Sequence, residues 1–137
     1  MRFLVDANVL IEPTRPAPDE RVVKWLGANE ARLVVDPIIL GEIRFGILLL
    51  AAGAKRRSLE TWFASGVQRL ECVPWDAAVG LEWAQLLARL RTAGAAMPIK
   101  DSMISATAAL HGFTVATRNE TDFKKARVPV FNPFIGG

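Results

Sequence analysis

The sequence predicts an α/β domain: a central, mostly parallel five-stranded sheet flanked by helices. Two observations predict it. Short apolar runs alternate with longer stretches whose apolar residues recur at helical spacing, the pattern of βαβ units that build a parallel sheet. The helical stretches also open on recognisable start signals, an acid or a proline where a helix begins. With 137 residues, the chain fits a single domain, 1–137, around one core.

The elements follow in order. The first strand is Arg2–Asp6, an apolar run closed by an acid. Pro18-Asp19 introduces a helix in which Val22, Val23 and Leu26 share a face. Arg32–Val35 is the second strand. Asp36-Pro37 then supplies an N-cap followed by proline at the first helical position, and this helix is expected to run past Glu42 towards Gly53. Glu71–Val73 is the third strand, and Cys72 within it is expected to be inert and buried, as free cysteines usually are. Trp75-Asp76 introduces the clearest helix, with Val79, Trp83, Leu86, Leu87 and Leu90 on one face and Gly94 at its end. A further helix opens around Asp101 and ends near His111-Gly112. Phe113–Thr117 and Val128–Phe131 complete the sheet.

Composition narrows the function classes. Cys72 is the single cysteine, so no internal disulfide and no thiolate metal site is available. The longest apolar stretch, Phe45 to Ala54, falls short of the roughly 20 residues that span a bilayer. Asp6 interrupts the first apolar run, so no signal-peptide layout is present, and a cytoplasmic protein without a membrane partner is expected. The sequence has no tyrosine, and its four tryptophans read as packing residues, so the exposed aromatic platform of many single-strand binders is lacking. An apolar fraction of 51% exceeds what one small core needs and points to an interface, with the run Ile47-Leu48-Leu49-Leu50 as its leading candidate. The net charge is +3; with four particular acids set aside, 17 basic residues face 10 acidic ones. A basic body around an acidic pocket suits a polyanionic substrate.

Those four acids are Asp6, Glu42, Asp101 and Asp122, each beside strongly apolar sequence where a surface charge is not expected. Brought together they repel until a cation joins them. Hydrolysing a phosphodiester calls for an activated water and stabilised phosphoryl charge, and hard divalent cations held by carboxylates do both. Asp6 and Asp101 are the first choice of direct ligands. Glu42 could bind the metal, hold a water or act as base, and Asp122 could complete the ring or bind a second ion. Asn8, Thr117 and Asn119 are placed to orient them. Each acid also has an ordinary role open to it: Asp6 as a strand-end cap, Asp101 as a helix cap, Asp122 in a local turn and Glu42 in an ion pair.

Taken together, the motifs resemble a known family. Val5-Asp6-Ala7-Asn8-Val9-Leu10 resembles the opening motif of PIN domains, and Leu40-Gly41-Glu42-Ile43 matches their helical glutamate. Met97 to Ala106, with Asp101 inside it, is similar to their third-acid segment, and Thr117-Arg118-Asn119-Glu120-Thr121-Asp122-Phe123 to their closing motif. The order and spacing are most similar to the VapC/FitB group of toxin–antitoxin ribonucleases, over essentially the whole chain. The resemblance implies a PIN fold and Mg²⁺- or Mn²⁺-dependent cleavage of an RNA substrate. It also implies a homodimer, a small antitoxin partner obstructing the active site, and operator DNA bound indirectly through that antitoxin. Asp6, Glu42 and Asp101 match the three recurrent acids of the family, and Asp122 the more variable fourth. Two departures stand out: Ala7 replaces the hydroxyl residue common after the first acid, and Ser102 and Ser105 stand where small apolar residues are frequent.

Competing readings are fewer. A haloacid-dehalogenase-type phosphatase needs an acid where Asn8 stands, and a dinucleotide-binding domain needs a glycine-rich turn after the first strand. A non-catalytic PIN-like interaction module stays open as the rival from another class. A PIN nuclease of RNA maturation or of DNA is the nearer rival.

Overall fold

The computed structural model describes residues 1–135. Five strands, β1 (Phe3–Val5), β2 (Leu33–Val35), β3 (Glu71–Cys72), β4 (Thr114–Ala116) and β5 (Val130–Phe131), form one sheet in the order β3-β2-β1-β4-β5. All four pairings are parallel, with Leu4 opposite both Val34 and Val115. The three central strands are buried at every position, because helices cover both faces of a parallel sheet. That is why these strands read in the sequence as unbroken apolar runs. Each is one or two residues shorter than the apolar run that announces it.

Seven α-helices connect or cover the strands: α1 (Ala7–Leu10), α2 (Glu20–Ala28), α3 (Pro37–Leu48), α4 (Ala54–Ser65), α5 (Ala77–Thr92), α6 (Ile99–His111) and α7 (Glu120–Lys125). The expected start signals hold: the carboxylates of Asp19, Asp36 and Asp76 accept from backbone amides of the helices they open. At the far end of α6, Gly112 takes the left-handed conformation (φ 72°) that terminates helices. Phe3, Trp25 and Phe131 pack ring on ring across the sheet, with Trp25 4.9 Å from Phe3 and 5.4 Å from Phe131 between centroids.

Two expectations are corrected. The helix through Glu42 stops at Leu48 instead of running towards Gly53. The Arg56 guanidinium, on α4, donates to the Leu50 carbonyl (3.3 Å), so the chain satisfies that group without another helical turn. The break leaves Leu48 and Leu49 exposed while Ile47 is buried. Arg56 also pairs with Glu60 one turn on, so its charge is engaged within α4. The second correction concerns Cys72, which is exposed. It lies in a two-residue edge strand, and the core contact there is made by the next residue, Val73.

The strand order reverses direction beside β1: the chain builds outward through β2 and β3, then returns to place β4 on the other side. Ligands of open α/β sheets bind at the carboxyl ends of the strands flanking such a reversal. Asp6 and Thr117 stand at those two ends. A buried brace holds the helices above them. The fully buried Asp36 carboxylate accepts from the Ile39 amide (3.0 Å) and from the Thr107 hydroxyl (2.7 Å), joining the start of α3 to α6. Burial raises the Asp36 pKa above the ordinary carboxylate range, while these hydrogen bonds oppose the rise. Asp36→Ala is expected to cost about 2–4 kcal/mol, combining a lost cap with a buried hydroxyl short of its partner. Thr107→Val should cost about 1 kcal/mol, and the double variant less than the sum. Urea denaturation of the three variants measures this, and additive losses would show that the two side chains are not coupled.

Candidate active site at the carboxyl ends of the strands

Asp6 forms the centre of the site. It follows β1, its backbone N–H donates to the Ala116 carbonyl of β4 (2.9 Å), and its side chain caps α1. The carboxylate is 4% exposed. One oxygen accepts from the Ala7 amide (2.8 Å); the other accepts from the Thr117 hydroxyl (2.8 Å) and, at longer range, from the Asn8 side-chain amide (3.3 Å). Ala7 supplies no hydroxyl, and Thr117 provides one from across the sheet. Burial pushes the Asp6 pKa up to about 6, against the hydrogen bonds from Thr117 and Ala7 and with further upward pressure from the charges of Glu42 and Asp101.

The second hydrogen-bonded group lies on α6 and α7. Asp101 occupies the first turn of α6 and Asp122 the first turn of α7, where the helix dipole favours negative charge. The Asn119 side-chain amide donates to both, to Asp101 Oδ2 at 2.9 Å and to Asp122 Oδ2 at 3.0 Å. Burial raises the Asp101 pKa, and the charges of Asp122 and Glu42 add to it. Asp122 behaves oppositely: hydrogen bonds from Asn119 and Lys125 hold its pKa below the ordinary value. The two groups are one network, because the Asn119 backbone N–H donates to Thr117 Oγ1 (3.0 Å) while that hydroxyl donates to Asp6. Asn8 closes the loop by accepting from the Arg118 backbone N–H (3.1 Å).

Glu42 projects from α3 and pairs with Lys100, Nζ to Oε2, at 3.1 Å. It reaches the other acids through charge rather than through a hydrogen bond. The sequence therefore named seven residues, Asp6, Asn8, Glu42, Asp101, Thr117, Asn119 and Asp122, that converge on one edge of the sheet. The ordinary alternatives separate as well. Asp6 does cap α1, and Glu42 does form an ion pair. Asp101 makes no capping bond, since α6 begins after Pro98 with no side-chain cap.

The sequence reading placed Lys100 in the third-acid segment, Lys125 in a basic cluster and Trp83 on a helix face, but missed the polar partner of each. Lys100 and Lys125 adjoin the acidic motifs, and their basic charge was the available signal. Trp83 donates its indole N–H to Ser102 Oγ (3.0 Å), which in turn donates to the Ile99 carbonyl (2.6 Å). Ser102 thus stiffens the first turn of α6, which carries Asp101. Ser105, fully buried one turn later, has no hydrogen-bond partner for its hydroxyl among the described residues.

The available metal-ligating atoms are carboxylate oxygens, the chemistry that suits a hard divalent cation such as Mg²⁺ or Mn²⁺. Among the described residues, no three acidic, histidine or cysteine side chains stand close enough to form a ready-made cage. Lys100 pairs with Glu42 Oε2, and Asn119 donates to one oxygen each of Asp101 and Asp122, so a cation engaging Glu42 through Oε2 would displace Lys100. The same network without a cation leaves Asp6 and Asp101 destabilised as anions.

The chain is similar to known proteins over nearly its whole length. The PIN domain family matches residues 3–129. Toxin FitB of Neisseria gonorrhoeae is 38% identical over 136 residues, covering 96% of this chain and 98% of that protein. The VapC ribonuclease Y4jK of Sinorhizobium fredii is 31% identical over 136 residues, covering 96% and 97%. A solved structure of FitAB bound to an IR36 DNA fragment superposes with a TM-score of 0.90 at 37% identity, covering 96% of this chain and 95% of that one. Over nearly its full length, then, this chain belongs to the PIN-domain family, in the group that contains the FitB and VapC proteins.

Proposed function

We propose that this protein is a metal-dependent endoribonuclease and the toxin of a type II toxin–antitoxin pair. The observation that carries the reading is the buried, hydrogen-bonded Asp6 carboxylate facing the charges of Glu42 and Asp101 where the strand order reverses. Relatives named as a toxin and as a ribonuclease support it. In this reading Asp6, Glu42, Asp101 and Asp122 are the catalytic acids and hold Mg²⁺ or Mn²⁺, while Asn8, Thr117 and Asn119 orient them. The bound cation would supply Lewis acidity towards the phosphoryl oxygens and lower the pKa of an attacking water. Thr117 and the Ala7 amide fix the Asp6 carboxylate in one orientation. Asn119 aligns Asp101 with Asp122. Glu42, whose side chain is 30% exposed, faces the solvent from which an attacking water would come. Lys100 pairs with it at 3.1 Å, a neutralising role that a cation held there would share.

The same reading extends to partners. Phe45, Leu48 and Leu49 are exposed on and just beyond α3, where an apolar surface is costly in water. A homodimer and an antitoxin would cover such surface, and the antitoxin would carry the complex to operator DNA, as the DNA-bound FitAB relative suggests. No helix among the described residues is long and apolar enough to cross a membrane, and the proposed site of action is the cytoplasm. Light scattering should give a dimer at micromolar protein, and co-expression with the neighbouring reading frame should yield a stable complex. A monomer that recovers no partner would remove the association part of the proposal.

Purified protein should cleave RNA in Mg²⁺ or Mn²⁺ and stop in EDTA, and Asp6→Asn should lose at least ~100-fold in rate, the scale of a lost electrostatic or general-base contribution. Cleavage that persists in EDTA would refute the metal mechanism. Cleavage of DNA in preference to RNA would move the chain to another PIN activity, and metal binding without cleavage of either would favour the interaction module.

Thermal melts test the charges directly. A pKa raised from about 4 to about 6 means that the folded state binds the Asp6 proton more tightly than the unfolded chain does. The stability tied to that proton is present below about pH 4 and lost as pH rises through about 6, an effect of roughly 3 kcal/mol. In EDTA the parent should therefore melt higher as pH falls from about 7.5 towards about 5, and Asp6→Asn should lose its share of that slope while the raised Asp36 and Asp101 carboxyls keep theirs. Asp101→Asn should lose activity while melting at or above the parent in EDTA, and Mg²⁺ should raise the parent far more than the variant. An Asp101→Asn protein that is destabilised in EDTA yet keeps the full Mg²⁺ response would exclude Asp101 as a ligand.

A further inference from the structure

The cations nearest the four acids are engaged. Lys100 lies 3.1 Å from Glu42, Lys125 lies 3.2 Å from Asp122, and Lys124 lies 3.8 Å from Glu120. Arg118 differs. It sits between Thr117 and Asn119, is exposed, and makes no ion pair with an acid among the described residues. Its guanidinium carbon lies 4.5 Å from the centroid of the Phe134 ring.

Both halves of this arrangement are fixed. The Arg118 backbone N–H donates to Asn8 Oδ1, and the amide of Asn8 reaches Asp6 Oδ2. Phe134 is buried at the end of a turn that follows β5, and its N–H donates to Asn132 Oδ1 (2.9 Å). Asn132, itself buried, donates to Glu120 Oε2 at the start of α7 (3.0 Å). The parallel register places the end of β5 beside the end of β4, with Phe131 opposite Ala116. The ring platform therefore stands on the same sheet edge as Asp6. A guanidinium stacked on an aromatic ring keeps its N–H edge available, gives up little further freedom on binding, and matches a phosphate with two parallel hydrogen bonds.

We propose that Arg118, propped on Phe134, is a substrate-binding residue that holds a backbone phosphate of the RNA next to the scissile bond. The proposal rests on the ribonuclease reading and adds to it the residue that sets the register of the strand. A polyanion approaching an edge with four acids needs an unneutralised cation, and Arg118 answers that need. Its backbone belongs to the same hydrogen-bond chain as Asp6, so the phosphate it holds is kept at a fixed offset from the reacting one. A carboxylate on a protein partner would have no use for that coupling.

Steady-state cleavage of a short, mixed-sequence single-stranded RNA in Mg²⁺, over a range of salt, tests the proposal with Arg118→Ala, Arg118→Lys and Phe134→Leu. Thermal melts accompany each variant. Arg118→Ala should raise KM about tenfold, change kcat much less, and lower the slope of log KM against log salt by about 0.7, the share of one single-strand phosphate contact. Arg118→Lys should keep the parent's salt slope but recover only part of the KM, because charge remains and the planar fork is gone. Phe134→Leu should raise KM less than Arg118→Ala while keeping the parent's salt slope. A parent that cleaves, together with a folded Arg118→Ala protein of equal KM and salt slope, overturns the proposal alone. If that variant instead loses a co-expressed protein partner with its RNA kinetics unchanged, Arg118 is a protein contact and the proposal is likewise overturned. A parent that does not cleave RNA overturns the ribonuclease reading and this proposal with it.

Discussion

The buried carboxylate of Asp6 is the constraint around which the site is built. A charge taken out of water is costly unless hydrogen bonds replace its hydration. Asp6 receives such bonds from three directions: its own helix through Ala7, the neighbouring strand's end through Thr117, and Asn8. Those donors come from segments more than a hundred residues apart in sequence, and only the parallel pairing of β1 with β4 brings them together. The reversal of strand order supplies the place, and the carboxylate dictates which side chains must line it. The site residues then form a chain from Asp6 through Thr117 and Asn119 to Asp101 and Asp122, in which each polar atom depends on the next.

The charges pull against the fold. Burial and mutual repulsion raise the pKa values of Asp6 and Asp101 together, which is stored instability. Three features contain it. Asp101 and Asp122 sit in first turns of helices, where the dipole opposes the repulsion. Lys100 and Lys125 neutralise the two more accessible acids, Glu42 and Asp122. The Asp36–Thr107 brace and the Trp83–Ser102–Ile99 relay tie α3 and α5 to α6, which carries Asp101. A cluster of like charges persists only where rigid packing elsewhere offsets its repulsion.

The surface divides by chemistry. The edge with the acids carries Arg118, exposed and stacked on Phe134, while exposed apolar side chains lie on and beyond the end of α3. Where α3 stops is therefore consequential. Had it continued towards Gly53, the apolar run would have been spread around one helix. With the helix ending at Leu48 and Arg56 meeting the Leu50 carbonyl, Leu48 and Leu49 both lie on the outside.

By itself the sequence determined the α/β class, the parallel sheet, the helix starts at Asp19, Asp36 and Asp76, and the seven residues that meet at the site. These were legible because they rest on local rules: apolar runs for strands buried on both faces, capping acids before helices, and acids placed against apolar sequence. The termination of α3 and the exposure of Cys72 were decided by tertiary structure, since one depends on a side chain from the next helix and the other on which strand lies at the sheet edge. The partners of the acids were also invisible locally. Nothing near Glu42 foretells Lys100, which lies 3.1 Å away from the start of another helix. Arg118 and Phe134 are sixteen positions apart and meet only because β4 and β5 run parallel, with their ends side by side. Periodicity and capping act over a few residues and so can be read along the chain, whereas the pairing of charges and rings across the sheet depends on strand order, which no short stretch of sequence contains.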